Sequence, residues 1–244
     1  MNRGSFIFDG VNSETVKTFI QTRPMIEAPK RKVDMKSTYG VDGNVPYDEG
    51  VYDNTSMELS MFINGTDVIA DRQALYNLLD SRGVYKDFIP YFDPDKTYRV
   101  MLSDSLQFDN QYHYGNLQIV SAKLTVKPYK YLVVNDPITF NGTTGTITNP
   151  TNYASQPIIK VTASGPVTLK INGIDFNIKN VPNTITLDSE RYSAYQEDSY
   201  GVVTPMNDQA ATREYPIFKP GDNIINIIGT VSQLYIQPRW RSLV

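Results

Sequence analysis

Val167-Thr168-Leu169-Lys170-Ile171-Asn172-Gly173-Ile174-Asp175-Phe176-Asn177-Ile178 is the most informative stretch of this chain. On either side of Asn172-Gly173, apolar and polar residues alternate at every second position, the period of a strand with one buried face. An Asn-Gly pair between two such runs favours a type I′ turn, because both positions accept positive φ and the turn's twist matches that of paired strands. The spacing predicts a hairpin in which Ile171 faces Ile174, Leu169 faces Phe176 and Val167 faces Ile178. Six apolar side chains then share one face, and Thr168, Lys170, Asp175 and Asn177 take the other.

Working outward, Thr184–Asp188 reads as another short strand. Asn223–Ile228 and Val231–Ile236 flank Gly229-Thr230 and read as a second hairpin. Ser189–Glu214 is polar and irregular, and reads as a long loop or arm. Upstream, Asn135–Asn152 is almost all Asn, Thr, Gly and Pro with short apolar islands. That change of composition puts a domain boundary between Lys130 and Asp136, dividing the chain into residues 1–133 and 134–244. The second part has the size and strand density of a small antiparallel β-sandwich, roughly 100 residues.

The first part is also β-rich, a barrel or sandwich-like domain with one helix. Ser5–Phe8 is an apolar start closed by the Asp9-Gly10 turn. Lys30–Ser37 mixes charges with isolated apolar residues, as an exposed or edge strand does. Gly40–Asn54 is dense in Gly, Asp and Asn and reads as a loop. Met57, Leu59, Met61 and Ile63 alternate with polar residues and predict a half-buried strand. Thr66-Asp67 offers N-cap oxygens and Gly83 a C-terminal stop, so a helix is expected over about 67–82. Its stripe is Val68, Ile69, Arg72, Leu75, Tyr76 and Leu79, which would plug a barrel or cover a sheet. Lys86–Phe92 and Tyr98–Leu102 read as a hairpin across Asp93–Lys96. In Asn116–Val126, Leu117, Ile119 and Ser121 are expected on one side, with Leu124 and Val126 following a bulge. Lys127–Tyr131 closes the unit, Pro128 marking a strand end.

The totals exclude several kinds of chemistry. The 244 residues include no cysteine, so disulfides, thiolate nucleophiles and Cys-based metal or iron–sulfur sites are absent. A single histidine, His113, rules out a His-rich metal site within one chain. Net charge is −3, with both signs mixed along the chain, unlike the basic patches of nucleic-acid binders. No run approaches the ~20 apolar residues of a membrane-spanning helix, and the N-terminus lacks a secretory apolar segment, so neither insertion nor export by that route is expected. His113 sits among aromatics with no Gly-x-Ser-x-Gly elbow, the context of a surface or interface histidine. The acid pairs Asp48-Glu49 and Asp93/Asp95 lie in turn-rich stretches, where carboxylates are solvated rather than catalytic. The stretch around Asp42 lacks the spaced ligands and terminal Glu of an EF-hand loop. Tyr192, Tyr195, Tyr200 and Trp240 could form a sugar-stacking platform. Trp240, between Arg239 and Arg241, reads instead as a packing or interface anchor. No catalytic, cofactor or metal residue is therefore assigned, and no enzymatic activity is expected.

Six segments together carry a family resemblance: SFIFDGVNSE (5–14), TYGVDGNVPYDEGVYDNTSMELSMFI (38–63), YFDPDKTYRVML (91–102), VKPYKY (126–131), SGPVTLKINGIDF (164–176) and FKPGDNIINIIG (218–229). In this order, with the capped helix between the second and third, they resemble the distal tail proteins of long-flexible-tailed siphovirus phages, mostly of Gram-positive bacteria. The resemblance implies a ring-forming N-terminal domain and a galectin-like C-terminal β-sandwich. It further implies a homo-hexamer at the distal end of the virion tail, joining the tail tube protein to the tail-associated hub protein. Receptor-binding proteins would dock at its periphery, and DNA would pass its lumen without specific binding. The alternative expectation is a carbohydrate-binding adhesin module that contacts the host cell wall.

Overall fold

The structure, a computed structural model, describes residues 2–109, 117–140, 142–210 and 214–244. The chain divides into two compact units. One comprises residues 1–133 with Leu243 and Val244, and the other residues 134–242. Both are built from antiparallel strands, and one α-helix is present among the described residues.

In the first unit the strands are β1 (Phe6–Phe8), β2 (Val11–Asn12), β3 (Thr18–Thr22), β4 (Arg31–Ser37), β5 (Asn44–Tyr52) and β6 (Thr55–Asn64). The helix α1 (Val68–Leu79) follows, then β7 (Lys86–Pro90), β8 (Lys96–Leu102), β9 (Gln107–Phe108) and β10 (Leu117–Leu132). One curled sheet runs in the order β2-β1-β7-β8-β10-β6-β3, with β9 also on β10. At its far edge, Ile20 N–H donates to the Gly4 carbonyl at 2.7 Å, which draws β3 back toward the start of β1. The interior is filled by Phe6, Phe8, Leu59, Met61, Phe88 and Leu124 from the strands, with Leu75 and Leu79 from the helix.

The alternation in β6 behaves as its sequence predicts: Met57, Leu59, Met61 and Ile63 are all buried. So does the hairpin of β7 and β8, where Phe88 pairs with Tyr98. The helix starts as expected, with the Asp67 carboxylate accepting from the N–H groups of Ile69 and Ala70. It ends earlier, at Leu79, because Asp80 already has an extended ψ of 98°. Its buried stripe is also narrower than the sequence suggests: Ile69 is 80% and Tyr76 49% exposed.

Two expectations in this unit are corrected. Gly40–Asn54 is not a loop; most of it is β5, which pairs with β4 from Ser37↔Asn44 to Arg31↔Tyr52. Both strands are exposed on both faces, so no alternation of burial marks them in sequence. In β10 the parity is reversed. The buried face is Gln118, Val120, Ala122, Leu124 and Val126, while Leu117, Ile119 and Ser121 point the other way. No bulge interrupts that stretch, since β10 pairs with β6 without a break from Leu117↔Asn64 to Val126↔Thr55. The irregularity falls later, between Val126 and Lys130, against β8. There the Pro128 carbonyl accepts from the N–H of Val244.

The second unit holds β11 (Ile138–Phe140), β12 (Thr144–Asn149), β13 (Ile158–Ala163), β14 (Gly165–Ile171), β15 (Ile174–Val181) and β16 (Thr184–Asp188). These are followed by β17 (Ser193–Glu197), β18 (Val203–Pro205), β19 (Gly221–Ile228) and β20 (Val231–Gln237). They form two sheets, β11-β20-β13-β16-β17-β18 and β12-β19-β14-β15. One sheet buries Ile159, Val161, Leu187 and Ile236, and the other Leu169, Phe176, Ile178 and Ile225, making a β-sandwich. The β14–β15 hairpin has the predicted register, Ile171↔Ile174, Leu169↔Phe176 and Val167↔Ile178. Asn172 and Gly173 have φ of 52° and 84°, as a type I′ turn requires.

Two corrections apply here as well. β19 and β20 do not form a hairpin: β19 pairs with β12 and β14, β20 with β11 and β13. The chain steps from one sheet to the other through Gly229-Thr230. Gly229 has a φ of 123°, and a Cβ there would lie 2.6 Å from the Pro166 carbonyl oxygen. Ser189–Glu214 is not simply a loop, because β17 pairs with β16 and β18 with β17, extending the six-stranded sheet.

Candidate interaction surfaces

The residues singled out for chemistry are dispersed. His113 lies outside the described residues. Asp48 is engaged by Arg31, whose guanidinium donates at 2.8 Å. That contact and the Gly50 N–H hold the Asp48 carboxyl below the usual carboxylate range. Asp93 accepts from the Tyr98 hydroxyl at 2.7 Å and from Lys130 Nζ at 2.8 Å. Burial and that bond to Asp93 push the Tyr98 phenol well up. Asp93 thus anchors the strand pair β8–β10 and is not matched with Asp95, which is exposed. Glu49 and Asp42 are exposed too. Among the described residues, no group of three or more His, Asp or Glu side chains is arranged to hold a metal ion. No helix among them is long and apolar enough to cross a membrane.

Trp240 is 7% exposed and packs on Phe218, with ring centroids 5.9 Å apart. It is a packing anchor, as its sequence context suggests, and is not available as a stacking platform. The arginines beside it are committed to polar contacts: Arg239 to Asp188, and Arg241 to the Ala154 carbonyl and Gln156. Tyr195 is half-buried, its phenol pushed up by burial and by nearby Asp188. Tyr192 and Tyr200 are exposed.

Two features stand out as surfaces, and sequence reading missed the architecture of the first. It is the β4–β5 arm, a two-stranded sheet that shares no strand with the barrel. Its root is fastened by Arg31 over the Tyr52 ring at 5.0 Å, Tyr52 edge-on to Tyr129, and Lys32 to Asp53 at 3.4 Å. Farther out, Val33, Met35, Val45 and Tyr47 are between 42% and 61% exposed, and Tyr39 at the turn is fully so. A lone two-stranded hairpin is marginal in water, and apolar residues left bare on both faces mark a surface for a partner. The only local hint in the sequence was the exposed-strand composition of Lys30–Ser37.

The second is a cleft of about 240 Å³ in the sandwich, between the β14–β15 hairpin and the segment ahead of β19. Leu169, Ile171 and Phe176 line it together with Tyr192 and Tyr215, and the Tyr215 ring packs on Phe176 at 5.4 Å and edge to face on Tyr192 at 5.9 Å. Burial raises the Tyr215 phenol. The lining is mainly apolar, with charged groups supplied by Glu214 and Lys219.

A curled, helix-bearing β domain followed by a β-sandwich is a fold of the distal-tail-protein (Dit) type, as solved structures show. The crystal structure of the SPP1 Dit (gp 19.1) protein, described as a paradigm of the hub adsorption apparatus in phages infecting Gram-positive bacteria, is similar with a TM-score of 0.69. The match covers 96% of this chain and 98% of that one, at 13% identity. Chains of the phage P2 baseplate in its activated conformation with Ca and with Sr are similar at TM-scores of 0.57 and 0.54. Each has 9% identity and covers 97% and 95% of this chain, respectively, and 97% of its own. No protein-family model and no curated protein sequence matches the chain. What is shared is the fold, along the whole length of both units.

Proposed function

We propose that this chain is a structural, non-enzymatic protein of a phage tail tip. It assembles as a hexameric ring at the distal end of the tail, between the tail tube and the hub, with receptor-binding proteins docked at its edge. The observation that carries this reading is the fold likeness to a phage Dit protein, which covers 96% of this chain and 98% of that one. The exposed arm supports it, because a ring subunit needs a head-to-tail surface for its neighbour. The mild net charge of −3 suits a lumen that DNA traverses without being held. Residues 1–133 are the ring-forming domain and residues 134–244 the peripheral galectin-like sandwich.

Light scattering over a concentration series, followed by negative-stain imaging, tests the proposal. A six-subunit particle with a central hole is the expected result. A strict monomer at every concentration, both alone and with tube and hub proteins added, would sink it.

A further inference from the structure

We propose that the sandwich cleft beside Tyr192 receives the tip of the β4–β5 arm, carrying Tyr39, from a second copy of the chain. The proposal rests on the assembly reading above and names one of its contacts.

The cleft's size and lining select its guest. At about 240 Å³ it falls below the roughly 300–1,000 Å³ of pockets that enclose whole small ligands. It has room for one aromatic side chain. The lining is mainly apolar, which suits an aromatic side chain with a single hydroxyl better than a sugar ring that carries several. Apolar surface continues out of the cleft, since Ile174 is 51% and Tyr192 62% exposed. Tyr192 also holds a φ of 51°, rare for a bulky residue, beside its contact with Tyr215.

Two hairpin tips in the chain end in the same tripeptide, Tyr39-Gly40-Val41 and Tyr200-Gly201-Val202, with Tyr39 fully exposed and Tyr200 91% exposed. Charge separates them. Among the described residues the cleft carries one acid and one base, Glu214 and Lys219, both exposed. The first tip carries one of each as well, Lys36 and Asp42 on either side of Tyr39. Lys36 can therefore meet Glu214 while Asp42 meets Lys219, giving the contact its orientation as well as its anchor. The second tip has no lysine or arginine anywhere from residue 192 to 210 and leaves Glu214 unmatched. A tip entering a cleft on a different copy is a head-to-tail contact, the kind that closes rings.

The chain has no cysteine, which gives cross-linking a clean background. Full-length Thr38→Cys and Ile174→Cys proteins, each with one thiol and an intact Tyr39, would be mixed and oxidised. Dimers would be read on a non-reducing gel and by mass spectrometry. The 38–174 heterodimer should form several-fold more than a 199–174 heterodimer made with Ser199→Cys. Adding Tyr39→Ser to the first protein, or Lys219→Asp to the second, should bring the yield down to that control. Adding Asp42→Lys opposite Lys219→Asp should restore it. Equal yields from both tips, no heterodimer at any concentration, or preference for position 199 would overturn the proposal. Six-subunit rings imaged without a 38–174 cross-link would overturn this contact while leaving the ring reading intact. The cross-link without rings would keep the contact and count against ring closure.

Discussion

Asp188 and Arg239, 51 residues apart in sequence, meet as a two-point ion pair with N···O distances of 2.7 and 3.2 Å. Their side chains are only 3% and 16% exposed, and Glu190 adds a contact to Arg239 at 3.4 Å. Burial pushes the Asp188 carboxyl up, but Arg239 and the N–H groups of Arg191 and Glu190 outweigh it and hold it below the ordinary carboxylate value. The pair ties the end of β16 to the segment that follows β20, next to the buried Trp240.

Replacing Asp188 with Asn should destabilise the second unit by about 3 kcal/mol, because it leaves the buried Arg239 guanidinium with Glu190, at 3.4 Å, as its remaining charged partner. A denaturant titration measures this. The same pair sets an acid limit. A carboxyl whose folded pKa is depressed contributes stability that is full above its unfolded value, about 3.9, and is lost as pH falls through the folded value. Stability measured from pH 6 down to pH 2 should therefore fall less steeply in the Asp188→Asn protein than in the parent. Identical slopes would remove Asp188 from the acid response.

Gly229→Ala should cost about 3 kcal/mol. Its Cβ would meet the Pro166 carbonyl oxygen at 2.6 Å, and its backbone sits at positive φ, so overpacking and strain act together. Gly173→Ala, where nothing lies within 4 Å of the added carbon, meets only the second term and should cost about 1 kcal/mol. Comparing the two unfolding midpoints tests whether the crossover is as tight as described.

These glycines also show where local pattern succeeds and fails. Asn172-Gly173 and Gly229-Thr230 both sit between apolar runs. The first pair supplies two positive-φ positions and closes a hairpin whose register follows from its own residues. The second joins strands whose hydrogen-bond partners, β14 and β13, lie far away in sequence, and no short window contains that information. β5 was missed for another reason: a strand exposed on both faces has no burial period, and Gly43, Pro46 and Gly50 read as turn residues. Along β10 the apolar residues fall on both parities, and pairing with β6 chose Val120 and Ala122 over Leu117 and Ile119. The sandwich cleft was only half legible. Tyr192 drew attention as an exposed aromatic, but Tyr215 and Phe176 reach it through the fold.

Core truncation should discriminate sharply between two similar residues. Leu59, fully buried in the first unit, should lose about 3 kcal/mol on change to Ala. Ile174, 51% exposed at the rim of the cleft, should lose under about 1 kcal/mol. Chemical denaturation of both variants checks this, and the second value bears on the use of position 174 as a cross-linking site.

The root of the arm can be loosened selectively. Tyr52→Ala removes both the ring beneath Arg31 and the edge contact to Tyr129. Limited trypsin digestion should then cut at Arg31, Lys32 or Lys36 several-fold faster, while the cooperative unfolding midpoint stays within about 0.5 kcal/mol of the parent. In the parent, amide exchange across β4 and β5 should be fast in the isolated chain and slow once particles form. Equal exchange in both states would show that the arm is not an assembly surface.

The Gly229-Thr230 crossover has a mechanical consequence. Only Gly229 and Thr230 separate β19 from β20, three Cα steps or about 10 Å when fully extended, close to the ~10 Å between packed sheets. No slack is left at that end for one sheet to slide over the other. A load applied to β19 therefore reaches β20 with no loop to unfold between them.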